Sequence, residues 1–133
     1  MEAQPQDETL VTYAPQIKRD DARIDWSISA ADLWRRVRAF NPWPVAFTTW
    51  RGEELRILEA WPLERNSGAE PGTILPAQRL PQEVGDEPVE TFVVQTGSGR
   101  LAIRQLQRPG RRVLSGLEFL RGQRDLIGSR FGG

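Results

Sequence analysis

The 133-residue chain contains no cysteine and no histidine, and lysine occurs only once. The absence of cysteine excludes disulfides and thiolate sites and fits a reducing compartment. The absence of histidine removes the commonest general base and the commonest metal ligand, and it excludes a serine–histidine triad. No run approaches the ~20 apolar residues of a membrane helix, and the first residues do not form a signal peptide. The sequence therefore predicts a cytoplasmic protein without a membrane span.

The remaining candidates for chemistry are paired acidic residues and one glycine-rich turn. Asp20-Asp21, Glu53-Glu54 and Asp86-Glu87 lie in predicted turns, where adjacent side chains point apart into water. Gly97-Ser98-Gly99 could hold a phosphate, but a hairpin tip is favoured because no helix N-terminus follows it. We therefore predict no catalytic residue and no metal site in this chain.

Charge is balanced overall but unevenly distributed. Residues 99–133 carry eight arginines against Glu118 and Asp125, whereas residues 59–98 carry two basic and seven acidic side chains. A dipolar surface of this kind attracts anionic partners even when the net charge is zero. Seventeen of the eighteen basic residues are arginine, whose planar fork suits phosphate, although a GC-rich genome would give the same bias.

The pattern of apolar residues and turns predicts mostly short β-strands. Leu33, Val37 and Phe40 form one helical stripe that begins after an N-cap at Ser29 and ends at Asn41. Strands are predicted at residues 23–26, 45–50, 55–61, 73–78, 90–96 and 100–107, with an irregularity at Pro76. Ser115 and Glu118 match a capping box for a second, shorter helix closed by Gly122, and the last residues are expected to be mobile. About six short strands with one longer and one shorter helix favour a small barrel over a sandwich.

The tryptophans and arginines supply the candidate binding residues. Trp26, Trp34 and Trp61 are predicted to pack in the core, while Trp50 could instead stack on a nucleic-acid base. Three arginines (Arg108, Arg111 and Arg112) flank Pro109-Gly110 and should fan out from one turn. Arg100 and Arg104 extend one face of the preceding strand, with Arg108 next in step on that face. The alternative is a solvated loop tip without a partner.

Several segments in register resemble one known family. They are Thr-Tyr-Ala-Pro at 12–15, Ala-Arg-Ile-Asp-Trp-Ser at 22–27, Arg-Ala-Phe-Asn-Pro-Trp-Pro at 38–44, Pro-Gly-Thr-Ile at 71–74, Gly-Arg-Arg at 110–112 and Phe-Leu-Arg-Gly at 119–122. Together they cover residues 6–130 and resemble the C-terminal domain of methionyl-tRNA formyltransferase. The resemblance implies a mainly β fold, a small open OB-like β-barrel of about six short strands with one longer and one shorter helix. It also implies that residues 1–14 are an interdomain linker and that residues 15–133 are the barrel domain.

The resemblance implies an accessory tRNA-binding role rather than catalysis. Such a domain orients initiator Met-tRNA for N-formylation by a separate catalytic domain, which would bind 10-formyltetrahydrofolate; this chain alone would be inactive, without a cofactor and monomeric. Lys18, Arg19, Arg111 and Arg112 match the family's tRNA-facing positions. With the strand arginines, the predicted tRNA-binding residues are Lys18, Arg19, Arg100, Arg104, Arg108, Arg111 and Arg112.

A second interpretation stays open because similar barrels occur elsewhere. They are found in formyltransferases that act on nucleotide-sugar amines and in formyltetrahydrofolate dehydrogenase. There the barrel is a structural module that binds no nucleic acid. The Asn-Pro-Trp-Pro corner does not distinguish these proteins, whereas the basic Gly110-Arg111-Arg112 turn favours tRNA.

Overall fold

A computed structural model describes residues 19–41, 44–80 and 89–132. It contains a 3₁₀ turn, two helices and six strands: the turn Arg19–Ala22, α1 (Ala30–Ala39), β1 (Phe47–Trp50), β2 (Glu53–Leu63), β3 (Ile74–Arg79), β4 (Glu90–Gln95), β5 (Arg100–Gln107), β6 (Val113–Ser115) and α2 (Gly116–Gly122). The predicted mainly β fold with one longer and one shorter helix is confirmed. The predicted linker, Lys18 and the Pro42-Trp43 pair lie outside the described residues.

Helix α1 begins and ends where its sequence predicts. The Ser29 hydroxyl oxygen accepts a hydrogen bond of 3.2 Å from the Asp32 N–H and so caps the first turn. Leu33 and Val37 are buried in the core, and the Phe40 N–H donates to the Arg36 carbonyl at 2.9 Å in the last turn. The helix therefore covers one side of the barrel with its apolar stripe and leaves its arginines outside.

The six strands form one antiparallel sheet in the order β1-β2-β5-β4-β3, with β6 paired to β5. Strand β5 is central, because β2 pairs with nearly all of it, β4 with its first residues and β6 with its last three. Arg51 and Gly52 between β1 and β2 both have positive φ, at 54° and 78°. Two such residues give the twist that a tight hairpin needs. The predicted irregularity at Pro76 is confirmed by a shift in pairing between Leu75 and Gln78.

Strands β2 and β5 bend together near their middle. Ile57 pairs with Leu106 and Ala60 pairs with Ile103, and all four side chains are buried in the main core. On each strand, two residues that face the core are therefore three positions apart. Regular alternation would place them two or four positions apart. The alternation of faces therefore reverses within β5, which changes where its later side chains point.

The segment after α2 is part of the core, so the expectation of a mobile end is wrong. Leu126 and Phe131 are fully buried or nearly so, at 0% and 3% exposure. The Ile74 N–H donates to the Ser129 carbonyl at 2.9 Å, and the Gly132 N–H donates to the Thr49 carbonyl at 2.7 Å. These bonds join the two edge strands, β3 and β1, through the tail. The tail therefore closes the sheet into a barrel.

The strand predicted at residues 23–26 is reduced to a single bridge between Arg23 and Phe47. The Asp25 carboxylate instead accepts hydrogen bonds from the Ser27 N–H at 3.0 Å and hydroxyl at 2.6 Å. A turn at Asp25 competes with strand pairing because its side chain satisfies the local backbone.

A second apolar cluster covers the outer face of the sheet. Its buried members are Leu80, Val93 and Ala102, and its half-buried members are Trp61, Leu63, Leu75 and Val89. Val93 and Ala102 alternate with residues that face the main core, so they project to the opposite side. The sheet is thus apolar on both faces near its centre.

Candidate nucleic-acid interface

The turn between β5 and β6 presents two exposed arginines on a fixed backbone. The Arg111 N–H donates to the Arg108 carbonyl at 3.0 Å, and the Gln107 side-chain amide donates to the Arg111 carbonyl at 2.7 Å. Gly110 supplies the positive φ of 76° that the turn requires. The backbone is therefore held while the side chains of Arg111 and Arg112 extend into solvent.

Only one of the two exposed arginines has a carboxylate partner among the described residues. Within the described residues the Arg111 side chain has no hydrogen bond or ion pair, and Arg112, 73% exposed, lies 3.5 Å from a carboxylate oxygen of Glu118. The Ser115 N–H donates to Glu118 at 2.9 Å, and this bond, helped by Arg112, lowers the pKa of Glu118. Glu118 therefore stays ionised but neutralises at most one of the two cations. An open cavity of about 330 Å³ lies between Arg108, Arg111, Arg112 and Leu114.

Arg108 has a different environment from its two neighbours. Its Nε lies 3.3 Å from Glu53 Oε1, and its guanidinium lies over the ring of Phe119, 5.5 Å from the centroid. Its side chain is only 26% exposed. The prediction that Arg108 shares a face with Arg100 and Arg104 is wrong, because the bend in β5 turns it toward Phe119 and the core side.

Arg51 and Arg56, which the sequence did not single out, lie beside this turn together with the predicted Arg19. Strand pairing of Arg56 with Gln107 brings the β1–β2 hairpin next to the end of β5. Arg19 donates to Glu54, whose pKa is lowered mainly by this bond, and Arg56 Nε lies 3.5 Å from the same carboxylate. Arg51 lies 3.4 Å from Asp125. We call this region the basic end; it comprises Arg19, Arg51, Arg56, Arg108, Arg111 and Arg112 together with Glu53, Glu54, Glu118 and Asp125.

The basic end has more cationic than anionic side chains. Only the order of the strands shows that the β1–β2 hairpin lies beside the β5–β6 turn. Six arginines stand against these four carboxylates and Asp20, whose charge also acts on Arg19, so the named groups carry a net charge of +1. Arg51 and Arg56 flank a hairpin turn that the sequence does predict. Recognising their role requires knowing that β2 pairs with β5, which no local signal reveals.

The predicted arginines Arg100 and Arg104 lie away from the basic end, on the outer face of the sheet. Arg100 donates to the Arg65 carbonyl at 2.7 Å and to the Gln78 side-chain oxygen at 2.6 Å. Arg104 Nη1 lies 3.4 Å from Glu59 Oε2. At ~3.3 Å per strand residue, the eight residue steps from Arg100 to Arg108 span at most about 26 Å. The predicted set thus divides into two surfaces, and its remaining member Lys18 lies outside the described residues.

The partly exposed tryptophans are Trp34 and Trp61, whereas the sequence suggested Trp50. Trp50 is 3% exposed and its indole nitrogen donates to the Ser129 hydroxyl at 2.9 Å, so a stacking role for Trp50 is wrong. Trp26 is buried as predicted. Trp34 and Trp61, predicted to be core residues, are only half-buried and contact each other at the surface, with ring centroids 5.8 Å apart.

Other kinds of site are missing from the described part of the chain. Residues 19–41, 44–80 and 89–132 contain no group of three acidic side chains placed to hold a metal ion. Neither helix in these ranges is long and apolar enough to cross a membrane.

Comparison with known proteins gives one family and one fold. The family model described as "Formyl transferase, C-terminal domain" matches residues 16–124. HypX from Aquifex aeolicus, in complex with tetrahydrofolic acid, has a similar structure with a TM-score of 0.58 and 20% identity, over 90% of this chain and 18% of that one. A variant of HypX gives a TM-score of 0.58 and 21% identity, over 91% of this chain and 20% of that one. The chain therefore spans about a fifth of the structures it matches.

Proposed function

The chain belongs to the family of formyl transferase C-terminal domains, and from this we propose that it is the accessory tRNA-binding domain of a methionyl-tRNA formyltransferase. In this role it holds initiator Met-tRNA so that the charged end reaches a catalytic domain outside this chain. The observation that supports the proposal is the turn of the basic end. There Arg111 has no side-chain partner among the described residues, and Arg112 pairs only with the exposed carboxylate of Glu118.

Such a turn suits phosphate contacts better than base recognition. Arginine presents several N–H donors in a planar fork that matches phosphate oxygens. Most protein contacts that position a nucleic acid go to its backbone, and they carry no sequence information. We therefore assign Arg111 and Arg112 to direct phosphate contact and Arg108 to holding their turn. Arg19, Arg51 and Arg56 add positive potential around it.

The remaining parts of the reaction are assigned to the partner domain. The chain contains no histidine, the side chain that most often serves as a general base. We propose that 10-formyltetrahydrofolate and the catalytic residues belong to the catalytic domain, in the same cytoplasmic protein. The barrel domain would then be monomeric and inactive alone.

A second candidate is a structural barrel of another formyltransferase type, without nucleic acid. Two observations favour it. The similar solved structures reported above are of HypX, and four of the predicted cations already have carboxylate partners within the chain. In that case the arginines of the basic end stabilise the fold instead of binding RNA.

The salt dependence of tRNA binding distinguishes the two candidates. Each phosphate neutralised by an arginine releases counterions, so the logarithm of affinity should fall linearly with the logarithm of salt concentration. Replacing both arginines, in R111E/R112E, should lower that slope by roughly 1.4 to 1.8, at about 0.7–0.9 for each lost contact. Filter binding of the domain to tRNA at several salt concentrations measures this directly.

The matched control is R35E/R36E, which makes the same change in net charge. Arg35 and Arg36 are adjacent and exposed on α1, which begins beside the β4–β5 turn at the other end of β5 from Arg108. For R35E/R36E, the slope of log affinity against log salt concentration should stay near that of the parent. A flat slope for the parent would favour the structural barrel, and an equal effect of both double variants would mean that net charge alone governs binding.

A further inference from the structure

A groove runs along the second half of β2, where α1 packs beside it. One cavity of about 220 Å³ is lined by residues that include Trp34, Arg38 and Arg104, and one of about 600 Å³ is lined by residues that include Leu63, Arg65 and Arg100. Trp61 lines both cavities. We call the two together the Trp61 groove. It lies outside the basic end, and nothing in the proposed phosphate contacts uses it.

The indole of Trp61 is held in place but remains partly exposed. Its ring contacts Trp34 at 5.8 Å between centroids with an interplanar angle of 68°, an edge-to-face arrangement. The guanidinium of Arg38 lies 4.9 Å from the centroid of Trp34 and fixes that ring in turn. A flat ligand that enters either cavity therefore meets an indole that is already oriented.

The charges around the groove favour an anionic ligand. Four arginines line it, Arg38, Arg65, Arg100 and Arg104, against two carboxylates, Glu59 and Glu64. Arg100 is held by its hydrogen bonds to the Arg65 carbonyl and to Gln78, so little side-chain freedom is lost when it binds. A fixed aromatic ring flanked by oriented cations is the arrangement that binds unpaired nucleotides without regard to sequence.

We propose that the Trp61 groove binds an unpaired stretch of RNA, with one base stacked on Trp61 and neighbouring phosphates at Arg65 and Arg100. The proposal rests on the proposed function, because it takes RNA as the partner of this domain. It adds a second contact of a different kind. The basic end holds backbone phosphates, paired or unpaired, whereas the groove accepts only a base that is free to leave its helix.

The test uses an eight-nucleotide single-stranded RNA and a duplex that contains the same sequence. Trp61→Ala should weaken binding of the single strand by roughly 5- to 150-fold, the range for one base–aromatic stack, and leave duplex binding unchanged. Trp61→Phe keeps an aromatic face and should retain most of the affinity while reducing the quenching of tryptophan fluorescence by the RNA to the part that comes from Trp34. Ile127→Ala is the control, because Ile127 is 40% exposed and does not line the groove.

The possible results separate this proposal from the one it rests on. If the single strand binds equally well to the Trp61→Ala and Ile127→Ala variants, the groove proposal is wrong, and a protein partner becomes the better occupant. If the domain binds the duplex with a steep salt dependence but does not bind the single strand, the groove proposal also fails while the proposed function stands. If neither RNA binds, both proposals fail.

Discussion

Arg108 lies over Phe119, with its guanidinium carbon 5.5 Å from the centre of the aromatic ring. Phe119 is 2% exposed and belongs to the main core, so this arginine anchors the β5–β6 turn to the hydrophobic interior. Arg111, three residues later, has no side-chain partner among the described residues. One turn therefore contains an arginine for stability and an arginine available for binding.

The two arginines should respond differently to truncation. Arg108→Ala removes the contact with Phe119 and the pair with Glu53, and we expect it to lower the free energy of unfolding by ~1–2 kcal/mol. Arg111→Ala should change that free energy by ~0.5 kcal/mol or less, because it removes an exposed side chain. Urea denaturation of both variants measures the difference. Equal losses would show that Arg111 also supports the fold.

Gly97 should not tolerate a methyl group although it is exposed at a hairpin tip. A Cβ there would lie 1.8 Å from the Ser27 carbonyl oxygen, a backbone atom that cannot move aside alone. Gly97→Ala should therefore destabilise the domain by ~1–3 kcal/mol, as overpacking does. Gly122→Ala is the matched control, since a Cβ at that position would meet no atom within 4 Å and alanine favours helix, so the melting temperature should rise slightly. A tolerated Gly97→Ala would mean that Ser27 is not held against the tip.

Stability should be constant near neutral pH and fall only in acid. The folded-state pKa of three carboxyl groups is lowered: Asp25 by the Ser27 hydroxyl, Glu54 by Arg19 and Glu118 by the Ser115 N–H. A lowered pKa contributes stability above the unfolded value near 4, and that contribution is lost as pH falls through the folded value. Without histidine or cysteine, no side chain normally titrates between about pH 5.5 and 7.5. Melting curves from pH 3 to 8 check this, and a step near pH 6.5 would contradict it.

The chain alone should bind no folate. It has no histidine, residues 19–41, 44–80 and 89–132 form no strand–helix nucleotide unit, and we have assigned the formyl donor to the catalytic domain. Adding tetrahydrofolate to the isolated domain should leave its melting temperature unchanged, whereas a bound ligand would raise it. A rise that saturates with folate concentration would place part of the donor site in this barrel.

Elements with strong local signals were predictable from the sequence. Ser29 caps α1 as its residue type suggests, and both hydrogen bonds of the Ser115–Glu118 capping box form. The hairpin of β4 and β5 was equally clear, because a glycine-containing turn separates two β-prone runs. In each case the residues that determine the element are close together in sequence.

The arrangement of the candidate site could not be predicted in the same way. The bend of β5 falls at Arg104-Gln105, which contain neither glycine nor proline to mark it, and the partner strand bends with it. Trp61 lies on the outer face because of this sheet geometry, and Trp50 is buried because a distant Ser129 reaches it. These outcomes depend on contacts between residues that are far apart in the chain.

Closure of the barrel by residues 128–132 has a consequence for synthesis on the ribosome. The edge of β1 that bonds to Gly132 is translated some eighty residues before its partner. At ~5–20 residues per second, Thr49 waits roughly 4 to 16 s for this bond, although Phe47 on the same edge can already accept a hydrogen bond from the Ile24 N–H. An unpaired edge can pair with another nascent chain, and short strands limit this risk. The four residues of β1, followed at once by Arg51 and Gly52, keep the exposed edge small during that interval.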